Sequence, residues 1–207
     1  SVDIVTADGS YRHACPDEHP DLYWGVRGGG GNFGIVTTFE FELHPMQRQI
    51  VAGNLIFPMD RAREIVEFYG DYSSTAPDDL YADFFMQLPP GGKPGACGIN
   101  VCYSGPAERA ETLLAPLRKL GTPIADTIKA QDYVAVQRST DRSDPRNEGT
   151  YLKSGFISDF KGSMIDALIG GFEPHPLRGT IVFFQHSGGA IGRVAPDATA
   201  FPHRHSK

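Results

Sequence analysis

The stretch Gly28-Gly29-Gly30-Gly31-Asn32-Phe33-Gly34 constrains this chain more than any other. A glycine run loses more backbone freedom on folding than other sequence and brings no side chains to pack. It has a use where backbone must pass close to something else. Here it separates a helix-like segment, Asp21-Leu22-Tyr23-Trp24-Gly25-Val26-Arg27, from an alternating one over residues 35–43 that His44-Pro45 closes. What lies against the tract is therefore the main clue to function.

Periodicity places the tract in a fold. Residues 2–6 alternate and stop at Asp8-Gly9, predicting a hairpin with 11–14 as the return strand. His19-Pro20-Asp21 predicts a helix start capped by Asp21. Over 35–43, strand alternation puts Ile35, Thr37, Phe39, Phe41 and Leu43 on one face. Past Pro45 the pattern restarts. It predicts strands over 50–57, 80–88, 97–103, 124–128, 151–157, 179–186 and 191–195. Helices are predicted over 60–72, 107–120 (interrupted by Pro116), 130–137 and 161–169, with a polar surface loop over 139–149. This is an α+β fold with a largely antiparallel sheet covered by helices, and a boundary near residues 45–50.

Composition excludes several functions. The net charge of −6 argues against a nucleic-acid binder, which would carry a basic footprint. No apolar run approaches the roughly 20 residues that span a bilayer, so no membrane partner is expected. Cys15, Cys97 and Cys102 are odd in number and lack a CxxC spacing, giving neither a disulfide framework nor a zinc site. Reduced thiols favour a cytoplasmic setting. His203 and His205 have a strand-like spacing but no third ligand nearby, so no metal is expected. The absence of a Gly-x-Ser-x-Gly elbow leaves a hydrolase without support.

Gly29 to Gly34 matches G-x-G-x-x-G literally, but that dinucleotide fingerprint needs a strand before it and a helix after it. Here the order is reversed. A flexible linker fits poorly too, because Asn32-Phe33-Gly34 runs straight into the strand. The segment Asp-Leu-Tyr-Trp-Gly-Val-Arg-Gly-Gly-Gly-Gly-Asn-Phe-Gly-Ile-Val-Thr at 21–37 resembles the signature of the berberine-bridge-enzyme-like flavoproteins, within the vanillyl-alcohol-oxidase superfamily of FAD-linked oxidoreductases. Thr6-Ala7-Asp8-Gly9 resembles the same family. So do Gly188-Gly189-Ala190-Ile191 followed by Phe201-Pro202-His203-Arg204, and, more weakly, Tyr151-Leu152-Lys153-Ser154-Gly155-Phe156.

The resemblance implies that residues 1–45 are the C-terminal part of a FAD-binding domain and 46–207 a substrate domain, incomplete at its C-terminus. The family's flavin-bearing Gly-Gly-His loop is not in the sequence, and His13 and Cys15 do not match it. The chain is thus expected to be a fragment of a longer enzyme, inactive alone and without FAD, while the parent holds FAD. Gly30, Gly31, Asn32, Gly34 and Ile35 are the candidate cofactor contacts. The implied reaction oxidises a small-molecule alcohol or amine, of sugar or secondary-metabolite type, by hydride transfer to flavin with oxygen as acceptor. The alternative is a small-ligand-binding module that has lost flavin. Candidate substrate-side residues are Gln185, His186 and Arg193, on a strand expected to run from 181 through Gly188-Gly189 to 193. Tyr103 and Tyr151 are expected to be packing residues. An exposed remnant of the FAD domain would favour self-association.

Overall fold

The computed structural model describes residues 1–141, 149–157 and 159–205. It divides into two compact units, one made of Ser1–Pro45 with the segment from Gly188 onward, the other of Met46–Ser187.

The first unit opens with the expected hairpin, β1 (Val2–Val5) and β2 (Tyr11–Ala14). Asp8 holds its turn, with Oδ1 accepting from the Thr6 hydroxyl at 2.6 Å and the Ser10 N–H at 3.0 Å. Helix α1 (Pro20–Val26) follows, with proline in the first turn, where its missing N–H is harmless. Asp21 does not cap it. The capping position is His19, in the left-handed region at φ 49°, while the Asp21 carboxylate accepts the Leu22 N–H at 2.8 Å.

Strand β3 (Ile35–Phe39) pairs with β1 to give a three-stranded antiparallel sheet in the order β2-β1-β3. It ends at Phe39 rather than Leu43. Ile4 pairs with Val36 and Asp3 with Thr38, so Thr37 is an extra, bulged residue. The bulge reverses the alternation. Ile35 faces with Val5 and Phe39 with Val2, on opposite sides of the sheet.

The second unit is built on β4 (Gln49–Pro58). A single 3₁₀ turn leads into α2 (Ala62–Ser74), then β5 (Leu80–Leu88), β6 (Ala96–Tyr103) and α3 (Ala107–Arg118). Next come the short β7 (Ala125–Asp126) and β8 (Lys129–Asp132), then α4 (Tyr133–Gln137), α5 (Gly162–Gly170) and β9 (Thr180–Gln185). All pairs are antiparallel, in the order β7-β4-β6-β5-β9, with β8 on the start of β4.

Alternation explains the core. Leu80, Ala82, Phe84 and Met86 of β5, with Cys97, Ile99, Val101 and Tyr103 of β6, are buried beneath Ile65, Val66 and Tyr69 of α2 and Leu114 and Leu117 of α3. Tyr69 ties helix to sheet through its hydroxyl, which donates to Phe184 O at 3.1 Å and Ala82 O at 3.4 Å. Phe84 stacks with Phe184 at 6.0 Å between centroids.

Several expected elements change type. Residues 130–137 begin as strand β8, and α4 starts only at Tyr133, where the Asp132 carboxylate accepts the Val134 and Ala135 N–H groups. Residues 151–157 form no strand, and Tyr151 and Leu152 are exposed. Part of the expected 139–149 loop, residues 142–148, lies outside the described residues. The expected strand through Gly188-Gly189 breaks after Gln185. Residues 190–193 are instead α6 (Ala190–Arg193), in the first unit.

The tail belongs to that unit because α1 binds it. Trp24 Nε1 donates to Asp197 O at 2.7 Å, the Ala200 N–H to Trp24 O at 3.2 Å, and Arg27 Nη2 to Ala198 O at 3.2 Å. Residues 46–207 are therefore not one continuous unit. Among the described residues no helix is long and apolar enough to cross a membrane.

Candidate functional site

The second unit's sheet has a polar middle on the face away from α2 and α3. Register aligns Asn54 with Asn100, Asn100 with Asp83, and Asp83 with Gln185. Paired residues share a face, so four polar side chains from four neighbouring strands form one row about 14 Å long at the usual strand spacing. Aromatic residues flank it. Tyr81 lies one step away along β5, and Phe85 lies on the other side, opposite Phe183 of β9. The Phe85 ring covers Gly98, where a Cβ would fall within 3.0 Å of it.

Asp83 is the centre of the row. Its Oδ2 accepts the Tyr81 hydroxyl at 3.2 Å and the Asn100 amide at 3.5 Å. Burial pushes its carboxyl above the usual carboxylate range, against the pull of those two hydrogen bonds. Burial also raises the Tyr81 phenol, as does the neighbouring Asp83 charge. Such a carboxylate can hold a polar substrate group or exchange a proton with it. Where the row meets β7, β8 and α4, a groove of about 750 Å³ opens, with Asn54, Asn100 and Tyr81 among its lining.

Of this row, sequence reasoning named Gln185 but not Asp83, Asn100 or Asn54, with which the strand register aligns it. The signal was present in Leu80-Tyr81-Ala82-Asp83-Phe84-Phe85-Met86, where one aspartate interrupts an otherwise apolar strand. The other substrate-side candidates lie elsewhere. His186 is half-buried past the end of β9; burial lowers its imidazole pKa, opposed by a hydrogen bond with the Ser73 backbone of α2. Its ring centroid is 6.5 Å from that of Tyr81. Arg193 ends α6 and belongs to the other unit.

In the first unit the glycine tract has two kinds of position. Gly34 adopts φ 140°, and a Cβ there would fall within 3.0 Å of the Val5 carbonyl oxygen. Close packing within the chain therefore accounts for Gly34. A Cβ on Gly28 would run into Phe201, and on Gly29 into Phe33 and the Gly25 carbonyl. Gly30 and Gly31 differ. Among the described residues, a Cβ on Gly31 would meet nothing within 4 Å, and one on Gly30 only the Asn32 amide at 3.7 Å. Asn32 reaches back to Gly29 O at 3.3 Å, and Ile35 is 72% exposed. The chain's own packing thus explains the outer glycines and leaves the central pair with backbone facing open space.

No family model matches the chain. Its relatives nevertheless define a class of FAD-linked oxidoreductases. An uncharacterised FAD-linked oxidoreductase of Bacillus subtilis, YgaK, is 31% identical over 206 residues, covering 98% of this chain and 43% of the relative. Among solved structures, carbohydrate oxidase from Microdochium nivale aligns with a TM-score of 0.78 at 24% identity, over 99% of this chain and 46% of that one. The berberine-bridge-enzyme-like protein 28 of Arabidopsis thaliana aligns with a TM-score of 0.76 at 19% identity, over 99% and 45%. The chain is similar in sequence to FAD-linked oxidoreductases, shares its fold with berberine-bridge-enzyme-like structures, and spans less than half the length of these relatives.

Proposed function

We propose that the chain is the substrate-recognising part, with a piece of the FAD-binding domain, of an enzyme that oxidises an alcohol or amine on a sugar-like or secondary-metabolite substrate. FAD would accept the hydride and pass electrons to oxygen. The tract suits such a group. Among the described residues only the Asn32 amide comes near a Cβ built on Gly30, and nothing comes near one on Gly31, so both leave backbone bare, as a flat cofactor lying against main chain requires. Gly34 and Ile35 would hold the tract in place at the start of β3.

On the other unit, the Asn54–Asn100–Asp83–Gln185 row would orient the substrate, and this row is the observation that carries the reading. Asn54, Asn100 and Gln185 offer both donors and acceptors to hydroxyl or amine groups. Asp83 would accept a proton or a hydrogen bond from the group being oxidised, and Phe85 and Phe183 would give the apolar part of the substrate a surface.

The test uses the full-length parent and this chain side by side. The parent should show visible flavin bands that bleach when substrate is added without oxygen. This chain alone is expected to be colourless and inactive. Asp83→Asn and Gln185→Ala in the parent should each lower kcat/KM by about 10-fold or more, the loss of one good substrate hydrogen bond. A parent without flavin, or variants with unchanged kcat/KM on every substrate oxidised, would overturn the proposal.

A further inference from the structure

Bare glycine backbone can meet a flat cofactor in one geometry only if its ends are held, because glycine left to itself samples many conformations. At the far end of the tract Gly34 packs against the Val5 carbonyl of β1. The near end is held from the other end of the chain. A Cβ on Gly28, at φ 116°, would fall within 2.8 Å of the Phe201 N, Cα and Cβ atoms. Phe201 therefore occupies the space that a side chain on Gly28 would take. The Gly29 N–H then donates to Gly25 O at 2.9 Å, and the Phe33 ring fills the space beside Gly25 and Gly29. Where Phe201 sits decides where the Gly30-Gly31 backbone begins.

Two side chains of the tail set Phe201. Thr199 is buried, at 8% exposure, and its hydroxyl oxygen accepts two donors, the Phe201 N–H at 3.3 Å and Arg204 Nη2. The Arg204 guanidinium lies over the Phe201 ring, 5.0 Å from its centroid, within the range of a cation–π contact. Thr199 thus holds Phe201 by its main chain, Arg204 holds it by its ring, and a hydrogen bond joins the two holders. Docking of the tail does not require this. The bonds from Trp24 and Arg27 to the tail end at Ala200, one residue short of Phe201. The arrangement is also unfavourable in one respect. Arg204 Nε is buried without a hydrogen-bond partner among the described residues, and a buried donor left unpaired loses its hydration.

We propose that Thr199 and Arg204 are positioning residues for the flavin. They hold Phe201 against Gly28, and through it they fix the bare backbone at Gly30 and Gly31 against which the cofactor would lie. Each acts through Phe201, not by touching the cofactor. This rests on the reading of the tract as a cofactor contact, and the two can fail separately.

The test combines two measurements on Thr199→Val, which nearly keeps the shape and removes the hydroxyl, and on Thr199→Ser, which restores the hydroxyl. In the 207-residue chain, amide hydrogen exchange at Gly29 should be about 10-fold or more faster in Thr199→Val, for the loss of one backbone and one charge-assisted hydrogen bond. Exchange at Thr6, whose N–H donates to Ser10 O in the hairpin, should stay unchanged. In the full-length parent, Thr199→Val should purify with about half or less of the flavin per protein, because the tract is no longer preorganised. Thr199→Ser should restore both readouts. Arg204→Gln, which takes the charge off the Phe201 ring, should change both as Thr199→Val does, and it decides the matter if the valine variant does not fold. Unchanged exchange at Gly29, exchange at Thr6 that speeds up equally, or full flavin content in a variant whose Gly29 exchanges faster would overturn the proposal. An unmodified parent without flavin would instead overturn the cofactor reading itself, and the positioning role with it.

Discussion

Replacing Gly34 and Gly31 separately by alanine tests the division of the glycine tract. At Gly34 two costs add. The φ of 140° lies in a region that residues with a side chain rarely adopt, worth about 1–3 kcal/mol. The new Cβ would also press into the Val5 carbonyl, and overpacking of that kind costs about 1–3 kcal/mol. Gly34→Ala should therefore destabilise the first unit by about 3 kcal/mol. Gly31 has no positive φ and open space around its Cβ position. Gly31→Ala should stay within about 0.5 kcal/mol of the parent sequence. The assay is equilibrium urea unfolding followed by the fluorescence of Trp24, the sole tryptophan, which lies in the first unit. With m near 1–3 kcal/mol/M, the Gly34 variant should lose about 1–3 M in midpoint. In the full-length parent, Gly31→Ala should fold normally and purify with a reduced flavin-to-protein ratio. An unchanged midpoint for Gly34→Ala, or equal losses for both variants, would refute the assignment of packing to one glycine and cofactor approach to the other.

Other predictions follow from the second unit. Phe84→Ala empties a fully buried site between Tyr69 and Phe184 and should cost about 3–5 kcal/mol, read by thermal or denaturant unfolding. Tyr69→Phe removes a hydroxyl bonded to two carbonyls and should cost about 1–2 kcal/mol in the same assay. Asp83 carries a folded-state pKa raised above its unfolded value, so its contribution to stability is fully present below the unfolded pKa and fades as pH rises through the folded one. Asp83→Asn should gain Tm relative to the unmodified chain across that window, from about pH 4 upward. A constant Tm difference over that range would show that burial does not govern this carboxyl.

Much of the architecture was legible in local patterns. β5 alternates strictly, α2 carries its apolar residues at helical spacing, and Asp8-Gly9 marks its hairpin. The failures came where long-range pairing decides. Ala130-Gln131 has helix-forming composition, but pairing with β4 draws it into β8. The Thr37 bulge is set by β1 and leaves no local mark. The tail from Gly188 reads as more of the same strand region, and its bonds to Trp24 and Arg27, with Phe201 against Gly28, assign it to the first unit. The site was half visible for the same reason. The glycine tract is a contiguous word, whereas the polar row is spelled across four strands and exists only once their register is known.

The first unit is closed by residues from both ends of the chain, with the bond from Trp24 to Asp197 spanning 173 residues. Joining such distant pieces through a disordered tether is entropically costly and slow. If the intervening unit folds first, that tether becomes a sheet whose entry and exit strands, β4 and β9, stand three strand spacings apart, about 14 Å. During synthesis the inserted unit would thus act as a splint. The bonds from Trp24 and Arg27 to the tail can form only after residues 197–200 have been synthesised.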